Sequence, residues 1–260
     1  YAFYINRKMR QANRKLISLN AEMKEVTAQK LQFFTNVSHE VRTPLTLILA
    51  PLDRLIVSLR ESPYASDLGL IQKNANRLLR VINQILDFRK VEGKQEKLAV
   101  REIDLVPFVG EIKSYFDSMA SVRAISYTFT SSIKQCTLWI DPDLLEKVFF
   151  NLLSNAFKHT APDESITIRL QLFSVAGLQE QFPGRISGEV RGTSRYVCLS
   201  VEDTGKGIDD SDKFHIFSPF YQGTDESESN TAGTGIGLSL VLSIVKLHKG
   251  VVWVEDNKPK

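Results

Sequence analysis

Apolar residues early in the chain recur every three or four positions: Leu16, Leu19, Met23 and Val26, then Phe33, Val37, Val41, Leu45, Ile48, Leu52, Leu55 and Leu59. That alternation places them on one face of a long helix of the kind found in bundles and coiled coils. From Phe33 to Leu45 the ladder takes consecutive steps of four, a stutter that locally unwinds a coiled coil. Pro44 and Pro51 follow, and a helix-interior proline removes a backbone hydrogen bond, so a soft joint is expected near residue 40. Glu61-Ser62-Pro63-Tyr64 then breaks the pattern. A second ladder of Leu68, Ile71, Ala75, Leu78, Ile82 and Ile85 has the same spacing and predicts a helical hairpin. Such a hairpin lacks partner surface for its apolar seam. Pairing of two copies into a homodimeric four-helix bundle is the expected solution.

Beyond the polar stretch from Val91 to Lys97, which carries Gly93, the period changes and a domain boundary near residue 95 is expected. Leu98 to Asp104, Ile125 to Thr130 and Cys136 to Ile140 read as strands, with a helix over 105–120. Asp141 is placed to cap a helix from Pro142 to Lys158. Ile166 to Val175 and Tyr196 to Glu202 alternate like neighbouring strands, separated by a glycine- and proline-bearing loop. A final helix from about Gly235 to Lys249 leads into an apolar strand from Val251 to Glu255. The predicted fold class is α+β: a helical hairpin followed by an α/β sandwich with helices packed on one sheet face.

Composition adds little to this picture and excludes some alternatives. At 260 residues, 43% apolar and 24% charged, the chain suits one large or two small domains. The net charge of +3 is unevenly spread: residues 1–30 carry Arg7, Lys8, Arg10, Arg14, Lys15, Lys24 and Lys30, while 202–228 are acidic. The basic start has no base-contacting motif, so nucleic acid is not an expected partner. Tyr1-Ala2-Phe3-Tyr4-Ile5 followed by Asn6-Arg7-Lys8-Met9-Arg10 is the order expected where a membrane helix exits into the cytoplasm. The chain therefore reads as the cytoplasmic portion of a protein anchored upstream of residue 1. Cys136 and Cys198 read as buried free thiols of a reducing compartment, and no histidine or cysteine cluster has zinc spacing.

Candidate chemistry lies in five places. In Ser38-His39-Glu40-Val41-Arg42-Thr43-Pro44, His39 falls about 160° around the helix from Val37 and Val41, so its ring is expected outside the seam with Arg42 and Thr43. Asn151 and Asn155 stand four apart on one helix face, where carboxamide oxygens can ligate a hard cation, and Lys158 adds positive charge for phosphates. Asp203-Thr204-Gly205-Lys206-Gly207-Ile208 follows a strand, setting a carboxylate at its end beside glycines that permit close backbone approach. Phe217, Phe220 and Tyr221 come next. Gly233-Thr234-Gly235-Ile236-Gly237-Leu238 then opens a helix, whose N–H groups suit phosphate oxygens. The polar segment Asp209 to Ala232 between them fits a lid.

These boxes, in this order and at these separations, resemble the sensor histidine kinases of two-component systems across residues 30–255. The run Pro44-Leu45-Thr46-Leu47-Ile48-Leu49-Ala50-Pro51-Leu52 is similar to the hybrid sensors of gut Bacteroidetes. The resemblance implies a juxtamembrane helix over 1–29, a dimerisation and phosphoacceptor domain over 30–92, a linker at 93–97 and a Bergerat-type ATP-binding domain over 98–260. It implies that His39 accepts the γ-phosphoryl group of ATP, that Glu40 takes the ring proton, and that Thr43 positions water in a reverse phosphatase reaction. Asn155, supported by Asn151, would ligate Mg2+, with Lys158 and His159 facing phosphates. Asp203 would accept from the adenine amino group, with Gly205, Gly207 and Ile208 shaping the base pocket and Phe217 and Phe220 beside it. Gly233, Thr234, Gly235, Gly237 and Leu238 would form the phosphate side. The implied partners are a second copy and a response-regulator receiver domain, in the same polypeptide or separate.

Two departures stand out. Gln222 occupies a position where relatives carry arginine, and the chain stops at Lys260, before the closing turn and final strand of the family, which would leave a sheet edge uncovered. Two other function classes share part of the pattern: a gyrase- or MutL-like ATPase, which needs no histidine beside Glu40, and a non-catalytic dimeric relay, which needs no nucleotide boxes.

Overall fold

The computed structural model describes residues 15, 37, 40–92, 98–183, 195–223 and 234–257. The ladder from Leu16 to Phe33, Ser38 with His39, the 93–97 linker, Gly233 and residues 224–232 of the segment expected to form a lid lie outside the described residues. The chain divides into two compact units, Tyr1–Glu96 and Lys97–Lys260.

In the first unit, helix α1 covers residues 40–58 and runs through Pro44 and Pro51 without interruption. Leu59 N donates to Leu55 O at 2.8 Å and Ser62 N to Leu59 O at 3.0 Å, which ends the helix in a tight turn. Helix α2, Ala65–Glu92, returns alongside. Leu45 and Leu49 of α1 pack on Ala75, Ile82 and Leu86 of α2, with Leu79 at the edge. Removing each such leucine or isoleucine side chain from water is worth about 2 kcal/mol, enough to hold the two helices together. Gln72 Nε2 adds a 2.7 Å bond to Asp53 Oδ1 near the turn. The Arg42 guanidinium donates to Asn83 Oδ1 of α2, which corrects the expectation that Arg42 faces outward. Its side chain is long enough to reach around α1 and find a carbonyl that a shorter residue would miss.

The apolar ladders split into two rows. Leu45 and Leu52 of α1, and Ala75 and Ile82 of α2, are buried. Val41, Ile48 and Leu55, seven apart, remain exposed at 42, 53 and 47%, as do Ile71 at 50% and Leu78 at 54%. One hairpin has room to cover only one row.

In the second unit, β1 (Arg101–Asp104) pairs antiparallel with β3 (Thr137–Ile140). Helix α3 (Leu105–Val122) precedes β2 (Ser126–Ser131), and α4 (Pro142–His159) precedes β4 (Ser165–Ser174). After α5 (Val175–Gln181) comes β5 (Arg195–Asp203), then α6 (Asp210–Lys213) and α7 (Gly237–Leu247). The larger sheet has the order β2-β4-β5, parallel between β2 and β4 and antiparallel between β4 and β5. Period-two alternation on β4 sends Ile166, Ile168 and Leu170 inward, all fully buried. Ile166 and Ile168 meet Val109, Ile112 and Phe116 of α3 and Phe149, Leu153 and Phe157 of α4. The Phe116 and Phe157 rings stack with centroids 5.5 Å apart.

The expected cap holds: Asp141 Oδ1 accepts from Leu144 N at 3.1 Å, starting α4. Its Oδ2 accepts from Ala99 N at 2.8 Å, so the strand expected from Leu98 begins only at Arg101. Val175, expected to end the strand, and residues 176–181, expected in a loop, form α5, because Ser174 accepts from Gly177 N at 3.0 Å and Leu178 is buried. The expected strand from Val251 to Glu255 is not hydrogen-bonded as a strand. Side chains hold that segment instead, with Trp253 edge-on to Phe182 at 5.0 Å. Apolar alternation marks a half-buried face, which these contacts satisfy without a ladder. Cys136 and Cys198 are free and only half-buried, not fully buried as expected. Among the described residues, no helix is long and apolar enough to cross a membrane.

Candidate functional site

Helix α4 is the floor of the site. Asn151, Asn155 and Lys158 fall within about 60° of one another on its surface, roughly opposite the buried Leu153. Asn151 Nδ2 donates to Lys147 O at 2.7 Å, which turns its Oδ1 away from the helix backbone. Gly237, the first residue of α7, lies against that oxygen: a Cβ there would come within 2.6 Å of Asn151 Oδ1. α7 therefore starts at Gly237, two residues later than Gly235 suggested, and its N-cap Ile236 provides no side-chain cap. Its first-turn N–H groups are the donors that an anion would meet.

The far end of α4 is pinned from two directions. Thr160 closes the helix with its N–H and Oγ1 on Ala156 O, at 3.0 and 2.7 Å. The Arg123 guanidinium donates to Phe157 O, and also to Thr160 O at 3.2 Å. The His159 carbonyl faces Gly205 so closely that a Cβ on Gly205 would lie 2.2 Å from the oxygen. Gly205 N donates to Asp203 Oδ1 at 3.0 Å, which fixes the carboxylate at the end of β5. Thr204 N donates to Ser165 O at 3.1 Å and its Oγ1 accepts from Ser165 N at 2.9 Å, tying the glycine box to β4. Gly207 has φ +76°, a left-handed conformation that glycine adopts freely.

The third wall is the segment before α7. Phe220 N donates to Gly235 O at 2.9 Å. Gly235 has φ +68°, and a Cβ there would meet the Phe220 carbonyl carbon at 2.6 Å. Ile236 N donates to Thr234 Oγ1 at 3.3 Å. Phe217, Ile208 and Leu238 are half-buried and Phe220 is 53% exposed.

These contacts bring Asn151, His159, Asp203, Gly205 and Gly237 together around α4, with Asn155 and Lys158 on the same helix. Glu40 and Thr43 lie exposed on α1 in the other unit. Arg123 carries no sequence signal of its part in the site, because nothing local to residue 123 shows that it caps a helix ending 36 positions later. The tight seat of Gly237 on Asn151 was equally unreadable, whereas the glycines themselves pointed to close approach.

Partial burial and the neighbouring Lys158 and Lys206 lower the His159 pKa from 6.5, against an opposing pull from Asp203. The folded state thus binds fewer protons than the unfolded chain just below pH 6.5. Stability of the second unit is expected to rise with pH through the window below 6.5 and to level off above it. His159→Gln should flatten that rise in a series of thermal melts. Gly205→Ala is expected to cost about 1–3 kcal/mol in urea unfolding, because the His159 backbone has to yield.

Comparison with known proteins matches both units. Residues 29–94 match the His Kinase A (phospho-acceptor) domain, and residues 140–260 the histidine kinase-, DNA gyrase B- and HSP90-like ATPase. Histidine kinase P4 of Formosa agariphila is 36% identical over 232 residues, which is 88% of this chain and 16% of that protein. Sensor histidine kinase TmoS of Ectopseudomonas mendocina is 34% identical over 247 residues, 94% of this chain and 23% of that protein. The chain thus spans no more than a quarter of either relative. Full-length ShkA, solved in complex with AMPPNP, shares the fold with a TM-score of 0.64 at 23% identity, over 87% of this chain and 43% of that one. A helical hairpin bearing the histidine box, joined to an ATP-binding α/β domain with its asparagine and glycine boxes in order, places this chain in the family of sensor histidine kinases.

Proposed function

We propose that the chain is the kinase portion of a two-component sensor: it binds Mg·ATP in the second unit and transfers the γ-phosphoryl group to His39, from which it passes to a receiver aspartate. The observation that carries this reading is the cradle on α4, where glycines at 205 and 237 let the end of β5 and the start of α7 close onto the His159 carbonyl and the Asn151 carboxamide, beside the Asp203 carboxylate. In the transfer, a ring nitrogen of His39 forms a bond to phosphorus as the bond to the bridging oxygen of ADP breaks. Glu40 takes the ring proton. Asn155 and Asn151 offer carboxamide oxygens for Mg2+, which would supply charge neutralisation at the phosphates. Lys158 and the α7 N-terminus add donors, while Asp203 accepts from the adenine amino group. Thr43 orients water for removal of phosphate from the receiver, a role in keeping with LuxQ of Vibrio vulnificus, a 28% identical relative named sensor kinase/phosphatase.

The receiver as partner is supported by the ThkA histidine kinase solved with response regulator TrrA, which shares the fold with a TM-score of 0.55. The exposed row of Val41, Ile48, Leu55, Ile71 and Leu78 supports a homodimer, since a second hairpin would cover it. We assign the domain boundaries expected from the sequence, with the linker at 93–97 joining the phosphoacceptor and ATP-binding domains. The basic, aromatic start supports a place on the cytoplasmic side of a membrane-anchored parent.

Incubation with Mg·ATP is expected to leave an acid-labile, alkali-stable phosphoryl label. His39→Gln should abolish the label and keep nucleotide affinity, whereas Asn155→Ala should weaken Mg·ATP binding about tenfold or more in calorimetry. Free phosphate released without a labelled histidine would instead indicate an ATPase. Sedimentation should show a dimer at micromolar concentration, and Ile48→Glu with Ile71→Glu should convert it to monomer; a wild-type monomer would overturn the bundle.

A further inference from the structure

The segment after α7 touches both sides of the base wall. Asn257 Nδ2 donates to Asp203 O at 2.9 Å. On the opposite edge of β5, Thr204 N bonds to Ser165 O of β4, so the Asp203 carbonyl projects away from the sheet ladder. Asp203 is therefore held twice, by its carboxylate at Gly205 N and by its carbonyl at Asn257. One position earlier, Asp256 Oδ2 lies 2.6 Å from Lys213 Nζ of α6, which also contacts Asp210 Oδ1 at 2.7 Å. The Asp256 side chain is 31% exposed and that of Asp210 79%, so water screens the Asp256 pair less. α6 in turn bonds through Asp212 Oδ1 to the Tyr221 hydroxyl at 2.8 Å, next to the Phe220 that holds Gly235. Trp253 against Phe182 anchors the segment from outside the pocket.

We propose that Asp256 and Asn257 are positioning residues, a clamp that fixes the Asp203 end of β5 and α6 relative to each other and so shapes the base side of the nucleotide pocket. The inference rests on reading Asp203 as the adenine acceptor. Neither residue touches the nucleotide. Together they stop two walls, one a strand end and the other a four-residue helix, from drifting apart when the pocket is empty. A pocket held in its binding shape pays less ordering entropy on binding, so the clamp acts on affinity.

The test is calorimetric titration of ADP, and separately of Mg·ATP, into the wild-type protein and into Asn257→Ala, Asp256→Asn, Asp256→Glu and the Asn257→Ala/Asp256→Asn double variant. Each removal is expected to weaken binding about fivefold, as for loss of one hydrogen bond, and the double variant by more. Asp256→Glu, which keeps the charge for Lys213, is expected to bind like wild type. The loss should be the same for ADP and Mg·ATP, because the clamp lies on the base side, and the melting midpoint without nucleotide should stay within about 2 °C. A double variant that binds as tightly as a binding-competent wild type overturns the clamp and leaves the adenine reading standing. So does a loss confined to Mg·ATP, or one that follows a fall in the nucleotide-free melting midpoint. A wild-type protein that takes up neither nucleotide overturns both.

Discussion

The contact between Gly205 and the His159 carbonyl is the constraint on which the second unit's chemistry depends. It brings the end of β5 against the end of α4 at a separation no Cβ would permit. Every polar group of the site is referred to that meeting point. Asp203 is held by the amide of the same glycine, Thr204 by the first residue of β4, and the last carbonyls of α4 by Arg123. At the other end of the asparagine face, Gly237 repeats the device against Asn151. Two glycines thus set the distance from the Asp203 end to the Asn151 end of the cradle, with a rigid helix between them. The helix is rigid because Phe149, Leu153 and Phe157 are fully buried beneath it.

The hairpin obeys a different constraint, one of surface supply. Two helices bury one apolar row between them and leave the other in water. The exposed row carries residues too large and too regularly spaced to be incidental surface, and covering it is worth several kcal/mol per pair of hairpins. In the proposed function the phosphoacceptor belongs to this unit and the groups that bind the donor belong to the other. The protein's contribution to that proposed transfer is positioning and charge neutralisation, with the covalent change confined to exchange of a P–O bond for a P–N bond and loss of the ring proton.

Much of this was legible in the sequence, for identifiable reasons. Period and punctuation disclosed the strands and long helices, and the cap at Asp141 was readable because an aspartate preceding a proline and an apolar run has few other uses. The site boxes were legible because glycine and asparagine at those positions carry backbone and donor requirements that other residues cannot meet. What escaped was non-local. Arg123, Lys213 and Asn257 act on segments far along the chain, and nothing in their neighbours announces a partner. α5 escaped because Gly177 argues against a helix, while Ser174 and the buried Leu178 argue for it only once the fold exists. The final apolar run alternates like a strand because alternation reports burial, and burial there comes from Trp253 on Phe182 without ladder bonds.

The central claim is that ATP held on α4 phosphorylates one histidine out of the four in the chain. Tandem mass spectrometry of the Mg·ATP-treated protein, digested and separated at alkaline pH to preserve phosphoramidate bonds, tests it most directly. Phosphate is expected on the peptide containing His39 and none on those containing His159, His215 or His248. Phosphate on any of those three, or only on serine or threonine, would contradict it.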